Sequence, residues 1–420
     1  MDILKIRDSQ SFNILIIMGY PFPSSSKEPI HSGSQLASIG LAKALAATGN
    51  QVCVICRATN GESKYQVIDN VYIHRYKPLL RVGGYQQTTD FSLSRFFLLR
   101  RLIRSNMFDL VILHTPAPLE ATYCRRMTIP VIFTFQGPSG MYNSNLGKSP
   151  LELLHLAAIT FFSRPLLKLT LILADNFICV IEEDKDIIHK YYRLPSDKIE
   201  TIHHGIDLER FSPHTHNKLQ TSFKPKDTRK NIILSLSRIQ RGKGIHYLLY
   251  AAPAILNTFP DVMFIIAGVC DTPNYQTHLL NIAENLNISE HVEIINDIPE
   301  SDKPDLIRAS SMTVHFSDGT DPAPNSLIES LACGVPVVSV DSESRRRLVQ
   351  NGVSGILVQA RDVDGLSAAI IHLLSAPDKI YNMGISGRIH VESNFDIKQS
   401  VKTYLNYISR IVSNAPDGPH

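Results

Sequence analysis

The sequence lacks a strong excess of charge of either sign. It carries 42 lysines and arginines against 39 aspartates and glutamates, for a formal net charge of +3. A dedicated nucleic-acid-binding domain is normally strongly basic, and a disordered chain has fewer apolar residues and a larger charge imbalance. With 44% hydrophobic and 19% charged residues, the chain has the composition of a folded protein. We expect no nucleic acid among its partners.

The sequence is also poor in cysteine and has no long apolar run near its start. Its six cysteines are scattered, mostly within short apolar stretches, which disfavours a disulfide framework and fits a reducing compartment. Cys53 and Cys56 have the spacing of a metal pair, but a strand would point their sulfurs to opposite faces. The first apolar run, Asn13–Met18, is too short for a signal peptide or a membrane span. We therefore expect a cytoplasmic protein without a metal site.

A chain of 420 residues is too long for one ordinary core and predicts two domains. Each half alternates strand-length apolar runs with helical stretches, as parallel sheets wrapped by helices do. We expect domains over 1–212 and 231–395, a polar linker over 213–230, and a helix and disordered tail over 396–420, the helix packing back on the first domain. The predicted strands are Asn13–Met18, Gln51–Cys56, Leu110–Leu113, Val131–Phe135, Phe177–Ile181, Ile232–Leu236, Val262–Ala267, Val292–Ile295, Met312–Phe316 and Val335–Val340.

The first strand of the second half is followed by a loop with two well-placed cations. Arg238 and Lys243 follow the strand Ile232–Leu236 and precede a predicted helix, Ile245–Leu256. Open α/β sheets bind ligands at the carboxyl ends of their strands. Because arginine offers a planar fork of donors and lysine a compact charge, the pair can hold the adjacent phosphates of a diphosphate. A solvated loop with incidental charge would show the same pattern.

A later loop and helix carry two acidic residues. Asp321 lies in the loop, and Glu329 lies in a short helix that is predicted to begin near Pro324 and Asn325 and to end at Gly334. The start of such a helix can hold a phosphate, while the two carboxylates accept hydrogen bonds from hydroxyls. This combination suits a nucleotide sugar, which has hydroxyls on both sides of its diphosphate. The alternative is that the acidic residues only stabilise the helix.

With these landmarks in order from about Asn13 to Phe395, the sequence resembles the retaining family 4 glycosyltransferases of GT-B fold (glycosyl transferases group 1). The stretch Pro324–Gly334 resembles the most recognisable segment of the family, and Ile202–Pro213 resembles the segment that leads into its interdomain linker. The resemblance implies an α/β protein of two Rossmann-like, doubly wound domains that face a cleft, with the acceptor on the side of the first domain and the nucleotide sugar in the second.

The resemblance also implies roles for individual residues. Arg238 and Lys243 correspond to the basic pair that holds the donor diphosphate, and Asp321 and Glu329 occupy the two acidic positions of the family signature. We assign these four residues as catalytic. The residues expected to bind substrate are Gly33, Ser34, His114, Gln136, Gly137, Pro324, Asn325, Ser326 and Leu327.

Four places depart from the family pattern, and one of them is His204, which replaces a usual Asn or Gly. Asp321 stands where the family usually has Glu, and Gln136 stands where a His commonly contacts the transferred sugar. Arg345, Arg346 and Arg347 stand where the family typically has two glycines and a Glu. These arginines would either add positive potential near the donor or simply solvate a loop.

The resemblance implies transfer of a hexose-type sugar from a nucleoside diphosphate sugar, such as a UDP-sugar, to a sugar, glycan or lipid-linked acceptor. It further implies retention of configuration, a role in glycan, polysaccharide or glycolipid biosynthesis, and no cofactor or metal. The alternative is a sugar-nucleotide-binding protein that has lost turnover and acts as a partner or regulator. A nicotinamide-dependent oxidoreductase is disfavoured because no Gly-x-Gly-x-x-Gly follows Asn13–Met18.

One further segment is both basic and apolar. Residues 91–104 carry Arg95, Arg100, Arg101 and Arg104 among phenylalanines and leucines, so they could form an amphipathic helix seated peripherally on the inner membrane face, near a lipid-linked acceptor. Each basic residue near an anionic surface contributes about 1 kcal/mol, so four would give weak, reversible attachment. A core-packed helix whose arginines face water is the other interpretation.

Overall fold

The chain forms two compact α/β units. The structure, a computed structural model, describes residues 11–24, 33–59, 62–77, 93–135, 164–213, 231–270, 273–296, 298–317 and 324–414. Unit 1 comprises Met1–Ser24, Ser34–Gly205 and Ile397–His420, and unit 2 comprises Ser25–Gly33 and Ile206–Asp396. The long final helix of the chain therefore belongs to unit 1.

The described part of unit 1 is built on an eight-stranded sheet. Its strands are β1 (Asn13–Pro21), β2 (Gln51–Arg57), β3 (Tyr65–Ile68), β4 (Val71–Tyr76), β5 (Leu110–Leu113), β6 (Val131–Thr134), β7 (Asn176–Cys179) and β8 (Ile199–Thr201). Their order is β3-β4-β2-β1-β5-β6-β7-β8. The β3–β4 pair is antiparallel, whereas β1 pairs in parallel with both of its neighbours. The described helices from residue 33 to residue 205 are α1 (Gly33–Ala47), α2 (Leu93–Ser105), α3 (Pro118–Arg126), α4 over 164–173 and α5 (Glu182–Tyr192).

The described part of unit 2 is built on a six-stranded parallel sheet. Its strands are β9 (Asn231–Leu236), β10 (Val262–Ala267), β11 (Val292–Ile295), β12 (Met312–His315), β13 (Val337–Val340) and β14 (Gly355–Val358). Their order, β11-β10-β9-β12-β13-β14, is that of a doubly wound Rossmann sheet. The helices are α6 (Ile245–Thr258), α7 (Pro273–Asn285), α8 (Lys303–Arg308), α9 (Asn325–Ala332), α10 (Glu343–Leu348), α11 (Val363–Leu374) and α12 (Pro377–Asn394), and α13 (Ile397–Ser413) follows in unit 1.

The central strands of both sheets are buried on both faces. Every side chain from Ile14 to Met18 in β1 has no exposed surface, and all six residues of β10 are buried. Helices cover these faces with apolar stripes; α1, for example, buries Ile39, Leu41 and Leu45. Burial of one such side chain stabilises the fold by about 1.5–3 kcal/mol relative to leaving it exposed.

The structure confirms the predicted fold class, and each of the ten predicted strands has a counterpart whose ends are the same or differ by one to three residues. One moved end has a clear cause. The predicted strand Val335–Val340 begins instead at Val337, because Gly334 has a left-handed φ of 73° and Pro336 has no N–H to donate to a neighbouring strand. The sequence analysis did not identify β3, β4, β8 and β14.

Helix α13 is fixed to the sheet of unit 1 by its tyrosines. The Tyr407 hydroxyl donates to the carbonyl of Lys198 at 3.1 Å and lies 3.3 Å from the carbonyl of Phe177, while Arg410 pairs with Glu200 at 2.6 Å.

Among the helices within the described ranges, none is both long enough and apolar enough to cross a membrane.

Candidate active site

The loop that follows β9 carries the two predicted cations of unit 2. We call residues 237–244 the basic loop. Arg238 and Lys243 are both half-buried within it, and Arg238 Nη1 donates to Gln240 Oε1 at 3.1 Å. A short 3-10 turn at Arg241–Lys243 ends at Gly244, which precedes α6. The loop thus holds both cations at the carboxyl end of β9.

Two glycines fix the position of this loop by close backbone approach. Gly244 has a φ of 66°, and a Cβ on it would lie 1.9 Å from the carbonyl oxygen of Phe316, directly after β12. Gly268, after β10, has a φ of 145°, and its Cβ would lie 2.0 Å from the carbonyl oxygen of Ser237. Because only glycine tolerates such contacts at positive φ, the basic loop is held against the ends of two neighbouring strands.

The basic loop and helix α9 meet the sheet at the same point. Strands β9 and β12 are paired neighbours, and the strand order reverses between them. Ligands of open α/β sheets bind outside the carboxyl ends of the strands at such a reversal. Helix α9 begins at Asn325 after the extended Pro324, and Asn325 and Ser326 are half-buried. The first turn of a helix offers N–H groups without intrahelical acceptors.

Leu327 occupies a different environment from the other residues at the start of α9. Its side chain has no exposed surface and lies in the apolar core of unit 2, and its backbone N–H donates to the carbonyl of Pro324 at 3.0 Å. Its side chain therefore anchors α9 rather than facing a ligand.

Glu329 is a buried carboxyl with an unused oxygen. Its side chain is 1% exposed, and Oε1 has no hydrogen-bond partner among the described residues. Burial raises the pKa of Glu329, and Glu300 raises it further, whereas Lys303 and Arg210 oppose the shift. A buried carboxyl oxygen without a partner among the described residues suits a ligand hydroxyl, which would supply the missing hydrogen bond.

The charged residues around Glu329 were not identified from the sequence. Arg210 pairs with Glu300 at 3.1 Å, and Lys303 also pairs with Glu300. Glu300 lies just before α8 and Lys303 is its first residue. Charged residues are common at the start of a surface helix, so the pattern gave no signal of this cluster.

In unit 1, the corresponding reversal of strand order lies between β1 and β5. Helix α1 begins there with Gly33 and Ser34, and His114 follows β5 directly. His114 Nδ1 shares a hydrogen bond of 2.5 Å with Ser38 Oγ. Both Ser34, half-buried, and His114, buried, thus lie at the point of unit 1 where its fold favours a ligand.

His114 lies in a pocket of unit 1 that also contains His204. The pocket lining includes Ser38, His203 and Tyr404 as well as both histidines. Burial, reinforced by His204, lowers the pKa of His114 to about 3, and burial with the charge of His203 lowers the pKa of His204 to about 4. Both imidazoles are therefore neutral near pH 7, and a neutral imidazole suits an uncharged hydroxyl.

Three of the predicted site residues, Asp321, Gln136 and Gly137, lie outside the described residues.

The three consecutive arginines are described, and they do not form one group. Arg345 is 1% exposed, whereas Arg346 is exposed and pairs with Asp341 at 2.7 Å, and Arg347 is exposed. Neither interpretation from the sequence, added positive potential near the donor or solvation of a loop, applies to all three arginines.

The count of four surface cations on residues 91–104 was wrong. Arg95 on α2 is 3% exposed and donates from Nε to Glu120 at 2.7 Å, because it shares a helix face with the buried Leu99 and Leu102. Arg101 and Arg104 are exposed, and Arg100 is half-buried.

Comparison with known families assigns both halves of the chain to glycosyltransferase families. The model for glycosyl transferases group 1 matches residues 218–390, and the model for Glycosyltransferase Family 4 matches residues 32–210. Together the two matches cover most of the chain, and each lies mainly within one unit of the fold.

Curated relatives match over part of their length. The chain is 27% identical over 227 residues to spore coat protein SA of Bacillus subtilis, covering 51% of this chain and 60% of that protein. It is 28% identical over 200 residues to the GDP-mannose-dependent α-(1-6)-phosphatidylinositol monomannoside mannosyltransferase of Mycolicibacterium smegmatis, covering 46% of this chain and 52% of that protein. The chain thus spans between half and two thirds of the length of these relatives.

Solved structures match over nearly the whole chain and share its fold. Sucrose-phosphate synthase from Thermosynechococcus elongatus has a TM-score of 0.72 at 18% identity, covering 96% of this chain and 99% of that one. HepE of Anabaena, solved with UDP and glucose, has a TM-score of 0.68 at 17% identity, covering 95% and 99%. The sequence matches to both halves and the shared two-domain α/β fold lead to one conclusion: the chain belongs to the family 4 glycosyltransferases of GT-B fold.

Proposed function

We propose that this protein transfers a hexose-type sugar from a nucleoside diphosphate sugar to an acceptor hydroxyl, with retention of configuration. One observation carries the proposal. In unit 2, the basic loop and the start of α9 lie at the carboxyl ends of β9 and β12, where the strand order reverses. Two cations and a helix N-terminus at such a point suit a diphosphate.

The chemistry of transfer explains why positive charge is needed there. Breaking the bond between sugar and phosphate leaves extra negative charge on the departing diphosphate. Arg238 and Lys243 interact more strongly with that charge than with the bound donor, so they lower the barrier. The proposal gives this role to protein groups and to no metal. Retention follows the family resemblance, in which the acceptor attacks from the face of the leaving group and a phosphate oxygen takes its proton.

Glu329 binds the hydroxyls of the donor in this scheme. Its unused Oε1 accepts a hydrogen bond from a ribose hydroxyl, and it acts in binding rather than in proton transfer. Asp321 is assigned the equivalent role for the transferred sugar, on the strength of the sequence alone.

The acceptor hydroxyl is assigned to unit 1. His114 is held by Ser38 at 2.5 Å and is neutral near pH 7 because burial lowers its pKa to about 3. We propose that His114 and Ser34 bind an uncharged sugar hydroxyl, and Gln136 and Gly137 are assigned to the acceptor on the family resemblance of the sequence alone.

A lipid-linked acceptor is proposed for two reasons. Two relatives are named for lipid-linked acceptors: a phosphatidylinositol monomannoside and a diphosphoundecaprenol-linked GlcNAc. In addition, α2 exposes Phe97 at 58% and Leu93 at 43% near the exposed Arg101 and Arg104. An apolar and basic helix face of this kind suits reversible attachment to an anionic membrane at its inner face.

A panel of nucleotide sugars tests the proposal. UDP-, GDP- and ADP-sugars are first screened by thermal shift, since a bound ligand stabilises the native state. Donors that raise the melting temperature are then incubated with sugar and lipid-linked acceptors, and products are followed by mass spectrometry. At least one donor should support transfer. If a donor stabilises the protein but is neither transferred nor hydrolysed, the result would instead favour a binding protein that has lost turnover. If no donor stabilises the protein, the proposed donor site is refuted.

A further inference from the structure

We infer that Arg345 is a positioning residue for the donor diphosphate, acting through the hydroxyl of Ser317. The inference rests on the proposed function. It begins from a contrast between neighbours on α10: Arg345 is 1% exposed, whereas the side chain of Arg346 is 65% exposed. Arg345 is among the largest fully buried side chains of the protein, so its guanidinium is part of the interior of unit 2.

The guanidinium points toward the carboxyl end of β12. Arg345 Nη2 donates to Ser317 Oγ at 3.2 Å, and Ser317 is itself 4% exposed. The preceding residue, Phe316, has the carbonyl oxygen against which Gly244 of the basic loop packs. The basic loop and Arg345 therefore meet the end of β12 from its two neighbours, the loop following β9 and Arg345 lying in the helix after β13.

The helix that carries Arg345 is oriented by its own cap. Ser342 precedes α10 and its hydroxyl accepts from the backbone N–H of Arg345 at 3.4 Å, while the carbonyl of Arg345 accepts from Val349 at 2.8 Å. On the neighbouring strand, Ser339 Oγ donates to the carbonyl of His315 in β12 at 2.9 Å. The Ser339 bond joins β13 to β12, and two residues separate the end of β13 from the start of α10. The guanidinium is thereby held close to Ser317.

This arrangement can transmit positive charge to a bound anion. Because Ser317 Oγ accepts from the guanidinium, the proton of its hydroxyl is directed elsewhere, and a phosphate oxygen at the reversal point is a suitable acceptor. A hydroxyl that is polarised by a buried cation donates a stronger hydrogen bond than an ordinary hydroxyl does. Ser317 thus contacts the diphosphate, and Arg345 acts only through Ser317.

The test separates recognition of the diphosphate from general integrity of the site. Affinities of UDP, GDP and ADP are measured by calorimetry, and those of the matching nucleosides are measured by NMR titration. For R345Q we expect the preferred diphosphate to bind about tenfold more weakly, while its nucleoside loses less than about twofold. R345K keeps the charge and should recover part of the loss, and S317A should show the same selective loss as R345Q.

The matched control is R346Q, which removes the same charge from an exposed position of the same helix and should leave both affinities unchanged. Equal weakening of nucleoside and diphosphate by R345Q would assign Arg345 a structural role and overturn the inference, as would unchanged binding. If R345Q does not fold, S317A and R345K decide, and unchanged diphosphate binding in S317A overturns the inference. Failure of the wild-type protein to bind any diphosphate would refute the proposed function instead.

Discussion

Replacing Gly244 with alanine should displace the basic loop. Gly244 has a φ of 66°, and a residue with a Cβ pays about 1–2 kcal/mol to adopt this left-handed conformation. The new Cβ would lie 1.9 Å from the carbonyl oxygen of Phe316, whereas real Cβ contacts lie beyond 3.0 Å. Relief of the clash moves Lys243 by about 1 Å, and a misplacement of that size at a reacting centre costs about a hundredfold in rate.

Gly242 supplies the control in the same loop, because a Cβ at that position meets no atom of the described residues within 4 Å. Melting temperature and sugar transfer are measured for G244A and G242A in parallel. G244A should melt lower, by about 2–4 °C for each kcal/mol lost, and should transfer sugar about a hundredfold more slowly, whereas G242A should match the wild type. If G244A retained both wild-type melting and wild-type turnover, the packing of the loop against β12 would not matter for function.

Four further variants give distinct results. R238A or K243A should each lower turnover about a hundredfold without changing the melting temperature much; near-normal turnover in both would refute the diphosphate site. Burial raises the pKa of Glu329 above its ordinary 4.5, so its carboxylate destabilises the fold at high pH and not below that ordinary value. E329Q should therefore raise the melting temperature at pH 8 but not at pH 4, and should weaken donor binding about tenfold or more; the opposite pH trend would contradict the buried carboxyl. R101E/R104E should abolish salt-sensitive binding to anionic liposomes; if the wild-type protein floats free of them at low salt, direct membrane docking is excluded.

The interior strands could be predicted because each is a continuous apolar run, as burial on both faces requires. The four that were missed are not continuous buried runs; β4, for example, has an exposed Tyr72 and a half-buried His74 among its buried residues. Strand β3 alternates exposed and half-buried residues, β8 has three residues, and β14 is half-buried at its centre. Such segments become strands through pairing with a neighbouring strand, which their own residues do not reveal.

The position of a candidate site residue was predictable where that residue follows a strand along the chain, as Arg238 follows β9. It was not predictable where the contact joins distant segments. Arg345 and Ser317 are 28 residues apart, and the Arg210–Glu300 pair spans 90. Arg95 lies between these cases. Its spacing to Leu99 and Leu102 places it on the buried face of α2, a signal that the sequence analysis did not use, and its partner Glu120 could be found only from the fold.

The most direct measurement is calorimetric titration of the full chain with UDP, GDP and ADP, repeated on the R238A/K243A double variant. We predict that the wild-type protein binds at least one of the three at one site per chain, and that the double variant binds it at least a hundredfold more weakly, since each removed cation contributes a charge-assisted bond of about 1.5–3 kcal/mol. Absence of binding to any of the three, or equal affinity in the double variant, would contradict the assignment of the donor site to the basic loop of unit 2.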